Sequence, residues 1–182
     1  MRPHSLVIGG TGMLRPVSVY LARQGHTVSV IARNRDRLFE LIKETNREPG
    51  VINTIPLDYA GTDLLTVKLE EAIAILGPIT TAVSWIHSTA PEASMTIADI
   101  INRQVDICRF FDLVGSANQD PENLDNGRED LFRAYERIRY RRIILGHIVE
   151  DGGKRWLTNR EISDGIISAL ESDTAETIIG SI

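Results

Sequence analysis

Three groups of residues have types and spacings suited to chemistry. The first is Leu6-Val7-Ile8-Gly9-Gly10-Thr11-Gly12-Met13-Leu14, which reads as a strand, a tight glycine turn and a helix start. Glycines adopt backbone angles that a Cβ forbids, so the chain turns sharply with its N–H groups outward. The helix that follows offers free amides and a positive dipole end, which suits a pyrophosphate. The glycine string alone is weak; its place in the first strand–helix turn of a βαβ unit is what points to a dinucleotide. The second group is Val30-Ile31-Ala32-Arg33-Asn34. NAD-selective sites usually carry an acid at the end of the second strand, accepting from the ribose 2′-hydroxyl. Arg33 stands there instead, and a guanidinium suits a 2′-phosphate. NADP(H) is therefore favoured over NAD(H), while Arg35 and Arg37 read as a solvated helix start.

The third group lies at the exits of later strands: Ser84-Trp85-Ile86-His87-Ser88 after the fourth and Gly115-Ser116-Ala117-Asn118 after the fifth. Ligands of doubly wound sheets lie beyond the carboxyl ends of the strands. Ser84 counts there as a cofactor contact. His87 is the histidine nearest the expected nicotinamide, and its imidazole is suited to proton transfer near neutral pH. A loop histidine bonded to backbone is the plain alternative.

Positioning these groups requires a regular framework, and apolar runs alternate with helical patterns along the chain. Strands are expected at 5–8, 27–32, 51–57, 79–86, 106–114 and 142–149, with a further short one near 177–179. Helices are expected at 16–23, 36–45, 62–76, 92–104 and 159–170. Another helix is expected to carry Leu131, Ala134, Tyr135 and Ile138. Gly25 reads as the close of the first helix, Thr62 as a cap, Gly77-Pro78 as a stop, and Pro56 as an edge or strand end. This alternation, with strands apolar on both faces, predicts an α/β fold. The expected architecture is a doubly wound parallel sheet of six to seven strands, a Rossmann-type NAD(P)-binding domain.

The chain has 182 residues, 42% hydrophobic and 25% charged, which predicts one domain over 1–182. Its net charge of −5 argues against a general nucleic-acid or anionic-membrane binder. Cys108 is the sole cysteine and lies in an apolar run, so it reads as a core residue in a reducing compartment. The N-terminus enters a strand without a signal-like segment, and no apolar run is long enough to span a bilayer. A cytoplasmic location follows as the expectation. His4, His26, His87 and His147 are scattered without ligand-like spacing, so no metal site is expected.

Gly9-Gly10-Thr11-Gly12-Met13-Leu14, with Ala32-Arg33-Asn34 and Asp58, resembles the short-chain dehydrogenase/reductase superfamily, in particular its atypical small single-domain members. The likeness is specific over roughly the first third of the chain. It departs at Arg15, where the family usually has a third glycine that lets helix and strand pack closely; a displaced or differently started first helix is the expected consequence. The resemblance implies contacts from Gly9 to Leu14 with the cofactor, Arg33 and Asn34 beside the 2′-phosphate, and Asp58 against the adenine. A turn-closing role for Asp58 is equally open. It also implies Ser116 as the catalytic serine, an oxidoreductase acting on a small carbonyl, imine or alkene, and a homo-oligomer. The family's proton donor is a tyrosine followed four residues later by lysine; here Tyr135 is followed by Arg139. On a helix starting near Gly127, Tyr135 falls on the order of 12 Å below the cofactor face, which favours packing over catalysis. The usual dyad is thus absent or altered. A non-catalytic NADP-binding sensor or regulatory subunit is the competing reading. Lys154, Arg155 and Trp156 follow the sixth strand on the cofactor side, either lining a pocket or forming a surface loop.

Overall fold

Buried strands and amphipathic helices alternate from the N-terminus in the computed structural model, which describes residues 2–87, 90–115, 128–150 and 152–182. The order is β1 (His4–Ile8), α1 (Arg15–Arg23), β2 (Thr27–Ala32), α2 (Arg35–Glu44), β3 (Val51–Pro56), α3 (Thr62–Leu76) and β4 (Ile79–Ser84). It continues with α4 (Pro91–Asn102), β5 (Cys108–Gly115), α5 (Arg128–Phe132), β6 (Ile138–Leu145), β7 (His147–Glu150), β8 (Gly153–Trp156), α6 (Asn159–Ser172) and β9 (Glu176–Ile179). Seven strands form one sheet in the order β3-β2-β1-β4-β5-β6-β9, and every pairing within it is parallel. The chain starts in the middle, winds outward to β3, then returns to β4 on the other side of β1. That reversal opens a crevice between β1 and β4 at their C-terminal ends.

Alternation along the strands divides the core in two. Val7, Val30, Val83, Phe111 and Ile143 meet α1, α2 and α6 on one face. Leu6, Ile8, Ile31, Ala82 and Phe110 meet α3, α4 and Phe132 of α5 on the other. Both faces of the central strands are therefore dry, as a parallel sheet covered by helices requires. Cys108 is wholly buried in this core, and burial pushes its thiol up to about 12, so it is no nucleophile. Pro56 ends β3, the edge strand, where a missing N–H costs the ladder nothing.

Three expectations require correction. Thr62 is the first residue of α3 and makes no capping bond; Gly61 precedes it as the N-cap. The helix expected through Leu131, Ala134, Tyr135 and Ile138 is only the five residues of α5, and Ile138 opens β6 instead. The spacing of those residues imitates a helix, but Ile138, Tyr140 and their neighbours alternate across a strand. Phe132 is stacked on Tyr140 with ring centroids 4.6 Å apart. The expected strand 142–149 divides at Gly146, where a Cβ would stand 2.2 Å from the Ser181 carbonyl oxygen. Beyond it the chain forms the β7–β8 ribbon, antiparallel and outside the main sheet. Among the described residues, no helix is long and apolar enough to cross a membrane.

Candidate functional site

The crevice between β1 and β4 continues as a groove of about 380 Å³ over the C-terminal ends of β1 and β2. Its floor is the turn after β1. Gly9 takes φ +82°, a conformation costly for any residue with a Cβ, and its N–H donates to the Ile31 carbonyl at 2.9 Å. The next two glycines have different tasks. A Cβ on Gly10 would lie 2.6 Å from Val30 Cγ1 and 2.8 Å from Ser18 Oγ, so its absence lets α1 settle on β1 and β2. A Cβ on Gly12 would meet nothing within 4 Å and would project into open space at the groove. Close helix–strand packing is thus achieved at Gly10, and α1 starts at Arg15, one residue before the expected start. The Arg15 side chain is turned to Glu44 of α2 at 2.8 Å, away from any phosphate role. Thr11 and Met13 line the groove. The Leu14 side chain is wholly buried in the core, at the N-cap of α1.

Arg33 extends from the end of β2 into solvent, with its guanidinium 3.8 Å from Asp58. The Asn34 carboxamide is used locally: its Oδ1 accepts from the Arg37 N–H at 2.9 Å and caps α2. Arg37, in the first turn of α2, is exposed as expected and also lines the edge of the groove with Arg33. Asp58 closes its own turn, Oδ1 accepting from the Ala60 N–H at 3.0 Å, while Oδ2 is the atom near Arg33. Both roles weighed for Asp58 thus remain compatible with the geometry.

Two aromatic residues complete the wall, and residue-type reasoning passed over both. The Tyr59 hydroxyl accepts from the His87 backbone N–H at 3.4 Å. The Trp85 indole meets the His87 ring edge-on, with centroids 5.5 Å apart. Tyr59 was visible only as the neighbour of Asp58, and Trp85 only as the residue leaving β4. His87 is exposed and lines the groove. Ser84 does not: it is wholly buried beside Ile8 and Asp112, and its hydroxyl has no hydrogen-bond partner among the described residues.

The remaining candidates lie apart. Ser116 falls outside the described residues. Tyr135 stands in the turn before β6 and donates its hydroxyl proton to Asp99 Oδ1 of α4 at 2.8 Å. Burial and Asp99 together push that phenol up to about 12. The eight residues of β6, at about 3.3 Å each, separate it from the groove's end of the sheet. Arg155 is held between Glu150 at 2.7 Å and Glu161 at 2.9 Å, bracing the ribbon to the start of α6. Lys154 and Trp156 are exposed on the ribbon's other side.

No protein-family model matches the chain, and no curated protein matches it by sequence. Among solved structures, it is similar to a citronellol catabolism dehydrogenase of Pseudomonas aeruginosa PAO1, with TM-score 0.75 and 17% identity over 98% of this chain and 93% of that one. A β-ketoacyl-[ACP] reductase of Bacteroides thetaiotaomicron matches with TM-score 0.69 and 14% identity over 100% and 96%. An NAD+-bound xylitol dehydrogenase matches with TM-score 0.74 and 13% identity over 97% of each chain. At these identities the likeness is one of fold: the chain has the doubly wound α/β fold found in short-chain dehydrogenase/reductase structures.

Proposed function

We propose that this chain is a member of the short-chain dehydrogenase/reductase superfamily that holds NADP(H) in the groove and acts as an oxidoreductase on a small carbonyl, imine or alkene. The observation that carries the reading is the pairing of an open face at Gly12 with Arg33 just after β2 and Arg37 in the first turn of α2. A pyrophosphate fits over the turn and the N-terminus of α1, and a 2′-phosphate fits the two guanidinium groups. The exposed Asp58 Oδ2, 3.8 Å from the Arg33 guanidinium, is within reach of an adenine amino group at the same edge. The bound dinucleotide supplies the capacity to give or take a hydride. His87 is the proton-transfer candidate on the groove wall, and Ser116, next in the chain after β5, is the catalytic serine the family resemblance implies.

A second reading, a non-catalytic NADP-binding sensor or regulatory subunit, is favoured by one observation. Tyr135, the only tyrosine with a cation four residues on that matches the family's spacing, is bonded to Asp99 far from the groove.

Thermal denaturation tests the cofactor reading, because a ligand of the native state alone raises Tm by mass action. NADPH is expected to raise Tm more than NADH at equal concentration, and Arg33→Asp to narrow or reverse the difference. Equal shifts in the wild type would refute the NADP preference. Oxidation of NADPH against a panel of aldehydes, ketones, imines and quinones separates the two functions: tight binding without turnover favours the sensor.

A further inference from the structure

The glycine turn, the arginines and His87 leave Trp85 without a task, although it occupies the crevice itself. Its backbone is sealed against β1: the Trp85 N–H donates to the Ile8 carbonyl at 3.4 Å, and its own carbonyl oxygen lies 3.5 Å from where a Cβ on Gly9 would be. The indole reaches the other way. Its Cη2 atom stands 3.5 Å from where a Cβ on Gly115 would be, so the residue bridges the turn after β1, through its backbone, and the last residue of β5, through its ring. Beneath, it packs partly buried against the same core as Met13; beside it, the His87 ring meets it edge-on. The residue therefore spans the groove's inner end, held by packing in one position.

A dinucleotide with its adenosine at Arg33 and its pyrophosphate over Gly12 must run its second nucleotide from β1 across β4 towards β5. That is the path the indole lines. We propose that Trp85 is the stacking wall for the flat ring at the far end of the dinucleotide, and so determines how much of the dinucleotide contributes to binding. This rests on the dinucleotide reading above. A rigid indole already ordered by its neighbours loses little freedom on binding, and stacking of a planar ring on an aromatic side chain is worth about tenfold or more in affinity.

The test uses the full chain in a Trp156→Phe background, so that Trp85 is the sole indole. Two probes are titrated by calorimetry and by indole fluorescence: NADPH, and adenosine 2′,5′-bisphosphate, which is its adenosine half. NADPH is expected to bind at least tenfold more tightly than the bisphosphate and to quench Trp85. Trp85→Ala is expected to bring NADPH down to the affinity of the bisphosphate while leaving the bisphosphate unchanged. Trp85→Phe, which keeps a ring and protects the fold, is expected to restore most of the difference. Unchanged NADPH affinity in a folded Trp85→Ala protein overturns the proposal. Tighter NADPH binding in that variant also overturns it, since the indole then obstructs the path. If neither probe binds the protein with Trp85 intact, the dinucleotide reading fails and this inference fails with it.

Discussion

The sheet's two halves are built by different means. From β1 to β4, most turning points have a cause within a few residues: the positive φ of Gly9, the Asn34 cap on α2, the Asp58 carboxylate closing its turn. From β5 to β9, the corresponding features are held by contacts between distant segments. The short α5 is anchored by Phe132 against Phe110 and Tyr140, with centroids 4.9 and 4.6 Å apart. Tyr135 is fastened to Asp99, Gly146 fits under Ser181, and the ribbon is braced by Arg155. The groove belongs to the first half. Local geometry is enough to shape the glycine turn, whereas the wall of Tyr59, Trp85 and His87 depends on how separate elements meet.

The sharpest way to break this comparison is within the glycine turn, where adjacent positions are expected to fail differently. Gly12→Val should abolish NADPH binding with an unchanged circular dichroism spectrum, because its side chain enters the open groove. Gly10→Val should instead destabilise the protein, by about 1–3 kcal/mol or more, since Val30 and Ser18 already occupy that space. Calorimetric titration and thermal melts separate the outcomes; normal NADPH affinity in Gly12→Val would mean that the turn is structural only.

The next contrast sets the groove against the far end of β6. His87→Ala should lower NADPH-dependent turnover by roughly 10²–10⁴, the usual cost of losing a positioned proton-transfer group, with NADPH affinity retained. Tyr135→Phe should leave turnover intact and cost about 0.5–1.5 kcal/mol through the lost bond to Asp99. Steady-state kinetics and denaturant unfolding of both variants test this. Loss of turnover in Tyr135→Phe alone would restore that residue to the chemistry.

The smallest effect is expected at the ribbon. Hydrogen bonds from Arg155 hold the Glu161 carboxyl down at about 2, against an ordinary 4.5. A depressed carboxyl contributes stability above its unfolded value and loses it as the pH falls towards the folded one. Glu161→Gln keeps the α6 cap but weakens the clamp. The Tm difference from wild type should therefore be small near neutral pH and vanish as the pH falls from about 4.5 to 2. A difference that persists at the acid end would show that the ion pair is not its source.

What was legible in the sequence follows the same division. The strand 27–32 and the helix 62–76 coincide with β2 and α3, and the glycine turn lies between β1 and α1 as expected, because these features depend on residues close in the chain. Spacing alone misled where Ile138 and Tyr135 imitate a helical stripe. An interval of three residues fits either a helix or a turn into a strand, and only the Phe132–Tyr140 stack decides between them. That Arg37 also borders the groove depends on where α2 begins, which a charge pattern does not reveal. The Leu14 side chain, by contrast, is taken into the core.

By itself, the sequence determined that a parallel sheet would form with a sharp glycine turn at its centre, since backbone freedom and hydrophobic alternation are local properties. Only the tertiary structure decided that Gly10 serves packing while Gly12 opens onto the groove. It also decided that Tyr59 and Trp85 join His87 on one wall and that Tyr135 does not. Each of those outcomes depends on which atoms other segments bring within a few ångströms, a quantity that no spacing along the chain contains.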